Sequence, residues 1–313
     1  MDKLNYIIKR LLQMIPVLMI IIVLVFLLIR LIPGDPAMIM LGSKVKPEVL
    51  EGYRQRMGYY EPLSRQFLYF LRDLAQFDFG ESVVYRMPVT EVIKIRFPLT
   101  FALTVFSSVL TIIISLPLGY IAGMKQNKLP DQLVRSGALF GMALPSFWIG
   151  LMLLIVFSVR LKWLPVSGYA TDFWGRFKSL ILPSLTLAIS ASSVVVRNTR
   201  NNIVDAKNQD YVFFARCKGL RNLRVSLAHI IRNAMIPTVT LLSMRIAYML
   251  GGSVIIESVF TLPGMGELLL SSVLRRDYAV VQGVVITFVI IVLVINLATD
   301  VLYSALDPRI SLK

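Results

Sequence analysis

Residues 205–237 read DAKNQDYVFFARCKGLRNLRVSLAHIIRNAMIP, the longest polar and basic run in the second half of an otherwise apolar chain. Eight Lys/Arg fall between Arg197 and Arg232, against two acids, Asp205 and Asp210. The pattern reads as two short helices around a glycine. Asp210 is the expected N-cap, residues 211–218 the first helix, Gly219 its left-handed terminator and residues 222–235 the second helix. In its plainest reading this is a solvated loop joining two membrane spans, so the flanking sequence has to supply the spans.

Composition supplies them. The chain has 313 residues, is 56% hydrophobic and has a mean hydropathy of +0.72. Soluble domains are nearer ~45–50% apolar. A polytopic membrane protein follows. The net charge of +15 sits mostly in loops between apolar runs, where membrane orientation accounts for it without nucleic acid. One cysteine, Cys217, and one histidine, His229, exclude an internal disulfide and a Cys or His metal cluster. No GxxxxGK[ST], HExxH or GxSxG occurs, so the chain has no phosphate-binding loop and no catalytic constellation of its own. It is expected to be a non-enzyme with no bound cofactor or metal.

Outward from the loop, six spans are expected. Residues 11–29 form the first, after a short basic N-terminus. Residues 30–97 are polar, with a turn at Pro33–Pro36, helical periodicity over 47–57 and 63–74, and a second turn at Asp78–Ser82. In the second of these helices Phe67, Phe70, Leu71 and Leu74 share one face. Residues 99–123 are the second span, with a GxxxG at Gly119 and Gly123. Residues 137–159 are the third, with a GxxxG at Gly137 and Gly141 and a kink at Pro145. Helix packing is the preferred reading of both glycine pairs. Residues 180–196, 236–260 and 279–298 complete the set, with a short external excursion over 261–282 whose residues 268–270 either re-enter or lie on the surface. Sixteen Lys/Arg fall in the four segments read as internal and six in the two short external loops. Both termini are therefore expected in the cytoplasm. The organisation is residues 1–29 as N-terminus and first helix, 30–97 as an extracytoplasmic subdomain, and 98–313 as a transmembrane core carrying the cytoplasmic loop 197–235.

Three positions within the spans stand out. Arg245 lies eight residues past Pro237, roughly 12 Å into the membrane at about 1.5 Å per residue. A cation there costs at least ~2.5–3.5 kcal/mol unless it meets water or a partner. It either pairs inside the bundle or lines a translocation path. Ser190 and Ser193 likewise either pack helices or line that path. Glu257 and Asp300 lie near span ends, so the midplane carboxylates that an ion-coupled carrier requires are missing.

The order of residues in the opening stretch resembles the cytoplasmic motif of permease subunits of binding-protein-dependent ABC importers. It runs Asp210, Tyr211, Ala215, Arg216, Lys218, Gly219, then Arg232, Asn233, Ala234 and Pro237. Pro33-Gly34-Asp35-Pro36, Gly58 with Pro62, Leu63, Gln66 and Phe67, Asp78-Phe79-Gly80 with Ser82, residues 164–168, and Asp307-Pro308-Arg309 are similar to the dipeptide, oligopeptide and nickel (glutathione) branch. The resemblance implies an all-α permease of six helices in a bacterial or archaeal cytoplasmic membrane. It implies that Asp210, Tyr211, Ala215, Arg216, Cys217, Lys218 and Gly219 form a coupling helix docking on an ATPase. It also implies a second permease, two ATPase domains holding ATP and Mg2+, and an external solute-binding protein. Relatives commonly have Ala where Cys217 stands, and Cys is small enough to pack similarly. Peptide is the expected substrate class, with glutathione or a nickel complex as the alternative and an ion-coupled secondary carrier as the remote one.

Overall fold

The computed structural model describes residues 3–31, 37–38, 45–56 and 58–306. The turn at Pro33–Pro36 and the ending Asp307–Arg309 lie outside the described residues. The elements are α1 Lys3–Leu31, α2 Pro47–Arg56, α3 Leu63–Ala75, α4 Val89–Met124, α5 Leu129–Ala143, α6 Ser146–Arg160, α7 Phe173–Lys207, α8 Asp210–Cys217, α9 Asn222–Val259, α10 Met265–Leu274 and α11 Tyr278–Leu306. Leu154–Arg160 in α6 and Ser226–Ile231 in α9 are wound as π-helix. Among the described residues the only β-pairing is an isolated bridge between Glu81 and Pro88. The protein is all-α.

Among the described residues five helices, α1, α4, α7, α9 and α11, are long and apolar enough to cross a membrane. The expected third span is not one helix. Its residues divide between α5 and α6, which meet at 105°. Leu144, forced out of helical backbone by the following proline, has φ −88 and ψ 134, and Pro145 caps α6. Taken as a bent pair they make the sixth span. Elsewhere the helices outrun the apolar windows. Helix α4 begins at Val89, α7 runs from Phe173 to Lys207, and α9 starts at Asn222. The expected separate helix over 222–235 is thus the polar first part of α9. Hydropathy marks what is buried in lipid, and polar turns at either end are invisible to it.

The chain divides into two compact units, one built mainly on residues 101–262 and the other on residues 8–100 and 263–293. In the first, α7 is the axis. Its most apolar window is 72% buried, against 17–39% for the other long helices. Its buried residues are mostly small, including Ser184, Ala188, Ala191, Ser192, Ser193 and Thr199. Neighbours meet it through glycine. A Cβ at Gly119 would lie 2.6 Å from Thr199 Cβ, one at Gly123 2.5 Å from Ile203 Cγ2, and one at Gly141 within collision range of Ser193 Oγ. Gly150 of α6 abuts Thr186. Backbones approach closely because nothing projects between them. The second GxxxG is only half used, since Gly137 has open space where its Cβ would stand.

The second unit holds a core of Val89, Val92, Ile93, Met265, Leu268, Val280 and Val284, with Phe79, Val83 and Tyr85 packed against it. Asp277, buried, gathers the turn after residue 78. It accepts from the Ser82 hydroxyl and from the Val84 N–H at 3.2 Å. The Thr100 hydroxyl accepts from Met265 N–H at 2.7 Å, starting α10. Residues 268–270 belong to α10, of which Met265, Gly266, Leu268 and Ser272 are buried. Helix α3 turns its expected face inward, with Phe67 and Phe70 at 5.1 and 5.7 Å from the Phe26 ring of α1.

The glycine contacts make a paired prediction. At Gly123 an added methyl meets Ile203 and, at 3.0 Å, the Arg200 carbonyl. Gly123→Ala should therefore lose on the order of 1–3 kcal/mol by overpacking. Gly137→Ala meets nothing and should gain up to about 1 kcal/mol from helix propensity. Thermal unfolding of both in mild detergent should shift in opposite directions; equal shifts would deny the close approach.

Candidate functional site

Helix α8 is two turns long, too short to persist alone, and is held by what lies beneath it. Val212 and Ala215, three residues apart and so on one face, are 1% and 6% exposed. They sit in a cluster with Ile203 and Ala206 of α7 and Val225, Ile230 and Ala234 of α9, with Tyr120 and Met124 of α4 packed against it. Three helix ends thus share one apolar knot. Polar ties reinforce it. The Tyr120 and Ser226 hydroxyls are 2.7 Å apart. Asn202 Nδ2 donates to Thr238 Oγ1 at 3.0 Å, joining α7 to α9. Lys207 Nζ donates to the Met124 carbonyl.

The opposite face of α8 is open. Tyr211, Phe213 and Phe214 are 40%, 65% and 61% exposed, and Leu223 and Leu227 at the start of α9 are 72% and 55% exposed. Arg216, Cys217 and Lys218 are exposed beside them, and neither cation makes an ion pair among the described residues. Asp210 is exposed and is not the N-cap. Gln209 occupies that position, with φ −79 and ψ 148, and Asp210 opens the helix. An acid in the first turn still faces the positive end of the helix dipole favourably. Gly219, with φ +75, terminates the helix as expected. Its N–H donates to the Arg216 carbonyl at 2.9 Å, and Leu220 N–H to the Ala215 carbonyl at 3.3 Å. These two bonds are the pair of a Schellman cap.

The three intramembrane residues are not gathered into this surface. Ser193 Oγ donates to the Ile189 carbonyl at 2.8 Å and lies against Gly141. Ser190 is half-buried on α7. Arg245 is half-buried on α9 and makes no hydrogen bond or ion pair among the described residues. On one side of it Met244 and Tyr248 are 56% and 76% exposed, and on the other Leu242 and Met249 are buried, so Arg245 borders a face of α9 that is uncovered in the single chain.

One pairing was hidden in the sequence. Asp131, fully buried on α5, accepts from Arg200 of α7 through Nε at 3.1 Å and Nη2 at 2.7 Å. It also accepts from Asn127 N–H at 2.8 Å, in a turn where Asn127 takes φ +62. In sequence Asp131 is one acid in a basic loop. Only the fold brings Arg200, 69 residues away, into a two-pronged grip on it.

Comparison with known proteins places this architecture. The family described as binding-protein-dependent transport system inner membrane component matches residues 115–312. Its N-terminal companion, the binding-protein-dependent transport system membrane component N-terminal family, matches residues 3–104. The glutathione transport system permease protein GsiC of Escherichia coli (strain K12) is 44% identical over 310 residues, 99% of this chain and 100% of that protein. GsiC of Salmonella typhimurium (strain LT2) is 43% identical over the same lengths. Among solved structures, the inward-facing MetNI methionine ABC transporter superposes with a TM-score of 0.59 at 15% identity, over 70% of this chain and 97% of that one. An amino acid ABC transporter with histidines gives 0.55 at 17%, over 69% and 94%. At these identities the structures speak for the fold alone.

Removing the Asp131 carboxylate leaves the Arg200 guanidinium, 15% exposed, without its ion-pair partner and with Asn201 Oδ1 as its remaining side-chain acceptor. Asp131→Ala should cost roughly 3 kcal/mol, the lower end for a buried pair because Arg200 keeps some solvent contact. Asp131→Asn should cost less, since an amide oxygen still accepts from Asn127. Denaturation midpoints of the purified variants check this, and an unaffected Asp131→Ala would show the pair to be dispensable.

Proposed function

The chain belongs to the binding-protein-dependent transport system inner membrane components, and from that membership we infer how its parts work in an importer. It is a multi-pass inner-membrane permease subunit of an ABC importer. We propose that it contributes no catalysis, that ATP and Mg2+ belong to partner ATPase subunits, and that a second permease completes the path.

The observation carrying this reading is the two-sidedness of α8. One face, Val212 and Ala215, is fused into the ends of α7 and α9. The other offers Tyr211, Phe213 and Phe214 to a partner, with Arg216 and Lys218 alongside. An exposed aromatic patch flanked by cations is the composition of a protein interface. On this reading the patch seats in the ATPase subunit, with α8 and the loop over 197–235 in the cytoplasm and both termini on that side. Rearrangement of the ATPase then moves α8 as a rigid body. The apolar knot passes that displacement to α7 and α9 together, because a close-packed cluster does not deform gradually. The uncovered face of α9 around Met244, Arg245 and Tyr248 would meet the second permease or the path. There the Arg245 guanidinium is available to a substrate carboxylate.

For substrate we propose small peptides, glutathione included. The relatives at 43–44% identity over full length are named for glutathione, which is itself a tripeptide. A solute-binding protein on the outer face would deliver it.

Three outcomes are expected. Co-purification from native membranes in gentle detergent should recover a second permease and P-loop ATPases. Uptake of labelled glutathione and of a labelled dipeptide into cells lacking this gene should be restored by the wild type. It should fall at least tenfold in Gly219→Trp while the complex's ATPase rate is retained, since a bulky side chain at a left-handed position lies on the docking face. Arg245→Gln should lower uptake and alter the preference between substrates of different carboxylate number. Full ATP-driven uptake by Gly219→Trp would refute the coupling role, and unchanged uptake and preference in Arg245→Gln would remove that residue from the path.

A further inference from the structure

A cavity of about 320 Å³ lies among α4, α5 and α7. Its lining combines apolar residues, among them Ala138, Leu139 and Val196, with three arginines, Arg135, Arg197 and Arg200. The three cations are not equivalent. Arg200 is committed to Asp131 through two hydrogen bonds. That leaves the pair neutral overall. Arg135 and Arg197 are exposed, on two adjacent helices, and make no hydrogen bond or ion pair among the described residues. Arg135 also acts through space on the Asp131 carboxylate, helping to hold it ionised. Two guanidinium groups without a bonded anion therefore line a cavity whose other lining, Asn201 apart, is hydrocarbon.

The chemistry that satisfies both halves is a phosphate joined to an acyl chain. Guanidinium forks bind phosphate oxygens through paired hydrogen bonds. The apolar surface does not stop at the cavity mouth. Leu133, Leu139 and Phe140 of α5 are 64%, 56% and 71% exposed, so a chain leaving the cavity stays on apolar protein. A free phosphate would answer the arginines and leave that wall wet. The cations also lie where the apolar spans give way to the basic turn containing Lys125 and Lys128, the level at which anionic headgroups sit. We propose that this cavity is a binding site for an anionic phospholipid. Its phosphate rests on Arg135 and Arg197, and one acyl chain runs along Ala138, Leu139 and Val196. The lipid wedges between α5 and α7 beside the Asp131–Arg200 pair. Nothing in this depends on which substrate the importer carries or on the coupling role of α8.

The test uses the assembled importer purified from membranes, with its retained lipids measured by native mass spectrometry. It is followed by titration with phosphatidylglycerol and phosphatidylethanolamine in mixed micelles. The wild type should retain phosphatidylglycerol in preference to phosphatidylethanolamine. Arg135→Gln combined with Arg197→Gln should weaken phosphatidylglycerol retention about tenfold or more, each juxtamembrane cation contributing several-fold. Arg135→Lys combined with Arg197→Lys keeps both charges but loses the paired hydrogen bonds, and should fall between the wild type and the Gln pair. The wild-type preference is read without any variant, so failure of the double variant to assemble leaves the proposal testable. Three results would overturn it. The first is equal retention of both lipids by the wild type. The second is displacement of the lipid by inorganic phosphate at equal concentration, which would make the site one for a soluble anion. The third is efficient cross-linking of Leu139→Cys to another subunit, which would show that protein fills the cavity.

Discussion

The close approach of helices to α7 is the constraint on which the first unit depends. Lipid offers no hydrophobic drive for helices to associate, because acyl chains are as apolar as leucine. What remains is contact area, and it is gained by bringing backbones together. Glycines from three different helices, Gly119 and Gly123 of α4, Gly141 of α5 and Gly150 of α6, all face α7. On α7 they meet Thr199, Ile203, Ser193 and Thr186, short or branched at Cβ and stiff. Such a joint has few ways to slide. That rigidity is what a helix needs if it is to transmit displacement over its length.

The same logic operates at the polar end of α7. Ile203 meets Gly123 on one side and joins the knot beneath α8 on another. A single side chain therefore links the packing of the spans to the seating of the surface helix. The Schellman cap at Gly219 fixes where α8 stops. The π-wound turns of Ser226–Ile231 then set the rotation with which α9 leaves. Their buried members, Ser226 and Ile230, engage Tyr120 and the knot respectively. Backbone hydrogen bonds that span one residue more than in an α-helix are rare and persist where side-chain contacts hold them.

The sequence makes some of this legible and hides the rest for definite reasons. Helices over 47–57 and 63–74, the glycine terminator at 219 and the face of Phe67, Phe70, Leu71 and Leu74 were readable, because each is a local rule acting within a few residues. The break at Leu144–Pro145 was readable as a kink, but its angle of 105° was not, since proline dictates a departure from helix and tertiary packing decides how far it goes. The N-cap fell one residue early because Asp210 has the side chain of a cap while Gln209 has the backbone of one. For the candidate surface, the motif located α8. What it could not show is that Val212 and Ala215 face inward, since that depends on where α7 and α9 end. Asp131 and Arg200 were invisible as a pair, being a contact across two helices with no sequence period to announce it. Nothing in the sequence brings Arg135 and Arg197, 62 residues apart, to one cavity.

The cations of this chain, which carries a net charge of +15, are not equivalent. Had the positive charge served only to orient loops, its arginines would be interchangeable and solvated. They fall instead into distinct settings. Arg200 is desolvated and held by Asp131, where the loss of hydration is offset by two short bonds. Arg216 and Lys218 stand beside exposed aromatics, where a cation steers a partner's approach more than it adds to affinity. Arg245 sits half-buried on an uncovered face of a spanning helix, a position that a cation occupies at a cost and keeps only by meeting water or a partner. Of these settings only the first meets its negative charge within the described residues of the chain.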